Sequence, residues 1–185
     1  MDEQIANFLK KCLYVGIFIF AIRWILFSVD SVYDFIGAVG EVISITILVM
    51  GTYCSVLWKY NPLEKTPKIM GLYKGTIEHN CNGEFEKKET NVIIKQTLLS
   101  TKVQIVTNEI TSNTITGTLM EENEQYVLYY TYITNPKSKY SKENPIQYGT
   151  CRLLINSTDK LTGTYWTSRK TIGDMELTKI CKRNR

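Results

Sequence analysis

The feature that most limits this 185-residue chain is a pair of almost purely apolar runs, 12–29 and 42–58, set ahead of a long Tyr- and Thr-rich stretch of alternating sequence. About 20 mostly apolar residues make a helix long enough to cross roughly 30 Å of hydrocarbon, so each run with its flanks can span a bilayer. The chain is therefore expected to be a membrane α-helical hairpin of two transmembrane helices plus an all-β soluble domain, working at a bilayer. Lys10 and Lys11 precede the first run as in a signal peptide, but Arg23 interrupts it and no small-residue cleavage site follows. A retained anchor is the simpler account.

Lys10 and Lys11 flank the first span, Lys59, Lys65 and Lys68 follow the second, and the connector 30–41 has no Lys or Arg. Positive flanks stay inside, so both termini are expected in the cytoplasm. Cys81, Cys151 and Cys181 then sit in a reducing compartment as free thiols, and the pattern Asn156-Ser157-Thr158 carries no glycan. From Pro62 onward 18 Lys+Arg face 13 Asp+Glu, dispersed along the chain. So dilute an excess argues against a groove for polymeric nucleic acid and suits a small anion.

Composition divides the chain into a hairpin, 1–58, a Pro62- and Pro67-containing linker, 59–68, and a β domain, 69–185, expected to sense a ligand in the cytoplasm. Eight strands are predicted at 69–78, 91–100, 102–109, 113–121, 125–134, 147–156, 160–168 and 173–180. Short alternating strands separated by turns make a sandwich or a barrel. An eight-stranded antiparallel up-and-down β-barrel is favoured, because closure removes exposed edges. Its interior can be filled by side chains or can hold one small ligand. The longest breaks are 79–90 and 135–146, and the second, with Lys137, Lys139 and Lys142, is either a lid or a solvated loop.

Catalytic signatures are missing. His79 is the only histidine, its spacing to Cys81 does not make a metal site, and no phosphate-binding glycine loop occurs. No enzyme activity, metal or cofactor is expected. Alternation places Gly71, Tyr73, Gly75 and Ile77 on one face of the first strand and Tyr126, Leu128, Tyr130 and Tyr132 on one face of the fifth. Tyr165 and Thr167 oppose Trp166 and Ser168. Core packing is the plain reading of each ring, whereas the run 165–171 mixes rings, hydroxyls and Arg169 in a way that suits phosphate. In the second span, Gly40, Ser44, Gly51 and Ser55 form a face of small residues, for the hairpin's own partner helix or for another chain. Arg23 is costly in hydrocarbon and is expected to pair with Glu41 or to line an assembly interface.

The two spans, the proline linker, Met70-Gly71-Leu72-Tyr73-Lys74-Gly75, Leu128-Tyr129-Tyr130-Thr131-Tyr132, Tyr148-Gly149-Thr150 and the closing 163–173 segment resemble the two-transmembrane, β-strand-rich effectors of bacterial CBASS anti-phage systems. The resemblance covers nearly the whole chain. It implies a multi-pass protein of the bacterial inner membrane whose barrel binds a cyclic dinucleotide second messenger made by a partner nucleotidyltransferase. Assembly of the hairpins into a homo-oligomer then disrupts the lipid bilayer in abortive infection. Such a ligand needs stacking planes and phosphate donors. Tyr73, Tyr130, Tyr132 and Trp166 are the candidate stacking rings, and Lys95, Arg152, Thr167 and Arg169 the candidate phosphate or sugar contacts. Only one of Tyr165 and Trp166 can reach the lumen. A membrane-tethered lipocalin-like carrier of a small apolar ligand predicts an aliphatic lumen instead, and a structural membrane scaffold predicts a filled one.

Overall fold

The computed structural model describes residues 2–81, 84–142 and 144–180, with side chains except at 2–4 and 79–86. The His79 and Cys81 side chains and Cys181 therefore lie outside the described residues. Two compact units result, Met1–Pro62 and Leu63–Arg185.

In the first unit, helix α1 (Asp2–Leu26) and helix α2 (Val32–Ser55) form an antiparallel pair whose segments Ile5–Leu26 and Val32–Ser55 are long and apolar enough to cross a membrane. Ser31 stops the connector by capping α2, its Oγ accepting from the Asp34 amide at 3.1 Å. Phe20 packs edge-on against Phe35 across the pair, with ring centroids 6.1 Å apart, and Thr46 sits beside Gly16. Arg23 does pair with Glu41, Nε to Oε2 at 2.9 Å, and its guanidinium also lies over the Phe27 ring. A short 3-10 turn, Leu57–Tyr60, follows α2, and the Asn61 side-chain Nδ2 donates to the Tyr53 hydroxyl.

The second unit is a closed barrel of eight strands in sequence order. They are β1 (Gly71–Cys81), β2 (Glu84–Gln96), β3 (Thr101–Val106), β4 (Ile110–Glu122), β5 (Gln125–Pro136), β6 (Gln147–Ser157), β7 (Lys160–Thr167) and β8 (Ile172–Lys179). Every neighbour is antiparallel, and β1 pairs with β8 to shut the cylinder. The expected break at 79–90 is corrected: β1 runs on to Cys81, β2 begins at Glu84, and the two form one long hairpin. The charge-rich stretch before Asn91 reads as loop, yet it is strand, and Lys87 finds an ion-pair partner across the ladder in Glu78. The other long break is the real one: after Pro136 only a short 3-10 turn, Ser138–Tyr140, interrupts irregular chain before Gln147.

Alternation fills the half of the lumen nearest the linker. Val92, Ile94, Val103, Leu128, Leu153, Leu161 and Leu177 are buried there or just above it, in one cluster. Tyr73 closes that end, fully buried, with its hydroxyl between the Ile69 carbonyl at 2.7 Å and the Thr158 carbonyl at 2.9 Å. Gln96 holds the last linker residues against β2, donating to the Pro67 carbonyl and accepting from the Ile69 amide, each at 2.9 Å. The linker end of the lumen is therefore closed.

Candidate functional site: an open cavity at the far end of the barrel

Above the packed half, the lumen opens into a cavity of about 440 Å³, within the range that holds a small ligand. Its floor and lower wall are Ile77, Ile105, Tyr132, Tyr165 and Met175. Its upper wall is polar, with Thr107, Ser112, Thr134, Gln147, Thr167 and Thr171, and its rim carries Lys88, Glu109, Asn144 and Arg169. Ser112 is buried, and its Oγ has no hydrogen-bond partner. Such an orphan hydroxyl is costly unless something entering the cavity meets it.

Three turns build the rim. In the β3–β4 turn, the Thr107 Oγ accepts from the Ile110 amide at 3.0 Å, presenting Glu109. The Glu109 carboxylate takes Lys88 of β2 at 3.1 Å and Asn144 of the long loop at 3.3 Å, while its carbonyl accepts from the Lys137 amide at 2.9 Å. One acid thus ties the 137–146 segment to the barrel and occupies a rim cation. In the β7–β8 turn, Lys170 adopts a left-handed conformation (φ 62°), and the Ser168 amide donates to the Tyr148 carbonyl of β6 at 2.7 Å. That anchoring fixes the turn from which Arg169 reaches the mouth.

Beneath the cavity floor lies a titratable group that stays silent. Cys151 is fully buried, and desolvation pushes its thiol up to about 12. A thiol so far from ionisation is no nucleophile. Desolvation likewise raises the phenols of Tyr130 and Tyr132, and that of Tyr165 to about 12, so all three remain neutral hydrogen-bonding groups near neutral pH.

Of the residues singled out from the sequence, Tyr132, Thr167 and Arg169 meet around this cavity. Tyr130 lies deeper, 5.8 Å from the Tyr132 ring centroid, with its hydroxyl on the Met175 sulfur. Tyr73 is at the closed end. Three others stand on the outer wall. The Arg152 guanidinium is committed to Tyr129 and Glu122, each at 2.8 Å, and that pairing holds the Glu122 carboxyl below its usual range. Lys95 is exposed beside Lys102 on the adjoining strand, and Trp166 points outward against Ile115, Tyr148 and Thr150. Strand parity explains the last: Thr167 and Trp166 cannot both face inward, and Tyr165 is the ring that does. Sequence reasoning missed Lys88, Glu109, Ser112 and Tyr165 as cavity residues. Parity with Thr167 could have found Tyr165. Lys88 and Glu109 lie on different hairpins, and nothing local joins them.

Comparison with known proteins gives the chain a family. Residues 64–179, the barrel, match the family described as "Cap15, cyclic dinucleotide receptor domain". A curated relative from Staphylococcus schleiferi, CD-NTase-associated protein 15, is 34% identical over 183 residues, covering 97% of this chain and 100% of that protein. Among solved structures, a redesigned β-barrel superposes with a TM-score of 0.46 at 10% identity, covering 61% of this chain and 92% of that one. By its barrel and by near-complete alignment with that relative, the chain belongs to the Cap15 family of CBASS effectors, whose barrel is a cyclic dinucleotide receptor domain.

Proposed function

We propose that this chain is a ligand-gated membrane effector: a cyclic dinucleotide enters the open end of the barrel and favours association of the hairpins, which breach the inner membrane. One observation carries the reading above the others, the open cavity whose apolar and aromatic floor leads up to a mouth of hydroxyls with Arg169 and Lys88 at its rim. Hydroxyls, amides and a guanidinium fork suit phosphates and base edges. An apolar carrier calls for an aliphatic mouth as well as an apolar floor, and a scaffold for a filled lumen; the hydroxyls and cations around this opening favour neither.

A ligand shifts assembly only if it binds the assembled form more tightly. Glu109 offers a source for that difference. A phosphate arriving beside Lys88 competes with the Glu109 carboxylate, and Glu109 also holds Asn144 and Lys137, so binding reaches the long loop. In the hairpin, Gly40, Ser44, Gly51 and Ser55 face away from α1. A Cβ at Gly40 or Gly51 meets nothing within 4 Å, and the Ser44 and Ser55 hydroxyls fold back onto the Gly40 and Gly51 carbonyls. The buried residues of α2, Ala38, Val42, Met50 and Cys54, lie on another stripe. The small face therefore remains for a neighbouring hairpin, with both termini cytoplasmic as the lysine distribution favours. Nucleotide supply falls to a nucleotidyltransferase.

The full chain in proteoliposomes tests both halves. Saturable uptake of a cyclic dinucleotide, weakened at least tenfold by Arg169→Ala, is expected together with ligand-dependent dye release. Uptake unaffected by Arg169→Ala removes that residue from the site, and uptake without dye release rejects membrane disruption.

A further inference from the structure

Each tyrosine lining the cavity is paired across the sheet with a glycine on the next strand, Tyr132 with Gly149 and Tyr165 with Gly173. The pairing is sterically required. A Cβ at Gly149 would collide with the Tyr132 phenol, whose Cζ, Oη and Cε1 are the three nearest atoms, and one at Gly173 would meet Cε1 and Oη of Tyr165. Each ring is therefore laid over onto the neighbouring strand, along the wall rather than across the lumen. Deeper in the barrel, β6 and β8 carry fully buried leucines, Leu153 and Leu177, and the lumen is full.

We propose that Gly149 and Gly173 are positioning residues of the ligand site. By giving the two rings a place to lie, they keep the far half of the lumen open and turn two aromatic faces toward it, as seats for the planar bases of a ligand. The identity of that ligand rests on the receptor reading above; the open lumen rests on geometry alone.

Gly149→Ala is the cleaner variant, because the three atoms nearest its methyl all belong to the far end of the Tyr132 side chain, whereas a methyl at Gly173 also strikes the Glu78 backbone oxygen. Cyclic di-AMP, cyclic di-GMP, cyclic GMP–AMP and cyclic di-UMP are each titrated against the full chain in detergent, and the structure of the variant is determined. Gly149→Ala is expected to turn Tyr132 into the lumen and to weaken the tightest of the four at least tenfold. Adding Tyr132→Leu should cancel the effect, bringing the double variant within threefold of Tyr132→Leu alone. Binding as tight as the unaltered chain's, or a Tyr132 ring still lying on β6, overturns the proposal. If the unaltered chain binds none of the four, the receptor reading falls, and the ring position in the variant still decides the role of Gly149. Should Gly149→Ala not fold, Tyr165→Leu takes its place: it removes one seat with a side chain of no greater bulk and must weaken binding at least fivefold, an unchanged affinity overturning the seats.

Discussion

Tyr73 illustrates how far one residue's role depends on which end of a strand it occupies. Its parity is legible in the sequence, and it does point inward, yet it plugs the linker end of the barrel instead of meeting a ligand. Its hydroxyl is shared by two carbonyls, Ile69 and Thr158, in a site dry enough to push the phenol up to about 12. Removing the hydroxyl leaves both acceptors short of a donor, at a cost of about 1–3 kcal/mol. Tyr73→Phe is accordingly expected to lower the unfolding free energy by that amount in urea titrations of the full chain in detergent, with ligand affinity unchanged. An affinity loss without a stability loss would return Tyr73 to the binding site. Tyr165 and Trp166 make the complementary case, since parity alone demanded that only one ring of the pair share the face of Thr167.

Among the elements, the helical hairpin carries an ion pair between its two helices, Arg23 with Glu41 at 2.9 Å. Interhelical polar contacts in bilayers average about 0.6 and reach about 1.7 kcal/mol, and an ion stranded by loss of its partner costs more than two apolar replacements. Glu41→Leu is thus expected to destabilise the hairpin by about 1 kcal/mol in detergent-denaturation titrations, with Arg23→Leu added to it restoring most of the loss. Additive losses would show that the two side chains act separately. The β1–β2 hairpin shows the converse limit of sequence reading. Its outer half lacks the apolar alternation that marks a strand in sequence, and the backbone pairing of β1 with β2, with the Lys87–Glu78 ion pair across it, extends it nonetheless.

On the scale of the whole molecule, burial in the barrel holds the protons of Cys151, Tyr73, Tyr126, Tyr130, Tyr132 and Tyr165, each with desolvation as the leading cause. In the unfolded chain these leave near pH 9.0 for the thiol and near 10.0 for the phenols, while the folded barrel keeps them to about 12 for Cys151, Tyr73 and Tyr165. The folded state then binds more protons than the unfolded one, so this stability is complete below about pH 9 and declines as pH rises. Thermal midpoints measured from pH 7 to 11 should stay level and then fall above pH 9; a level midpoint throughout would mean that water reaches these groups.

The sequence by itself determined the two bilayer-length helices, the eight alternating strands and the inward parity of Tyr73, Tyr130 and Tyr132, because apolar length and period-two patterning are local properties of the chain. Which inward residues fill the barrel and which line an opening depends on how the sheet closes. Lys88, Glu109, Asn144 and Arg169 come from four separate segments, and closure of the sheet at one particular register is what brings them to a common rim. That register also sets Tyr132 opposite Gly149 and Tyr165 opposite Gly173, and so decides where the rings stop and the cavity begins.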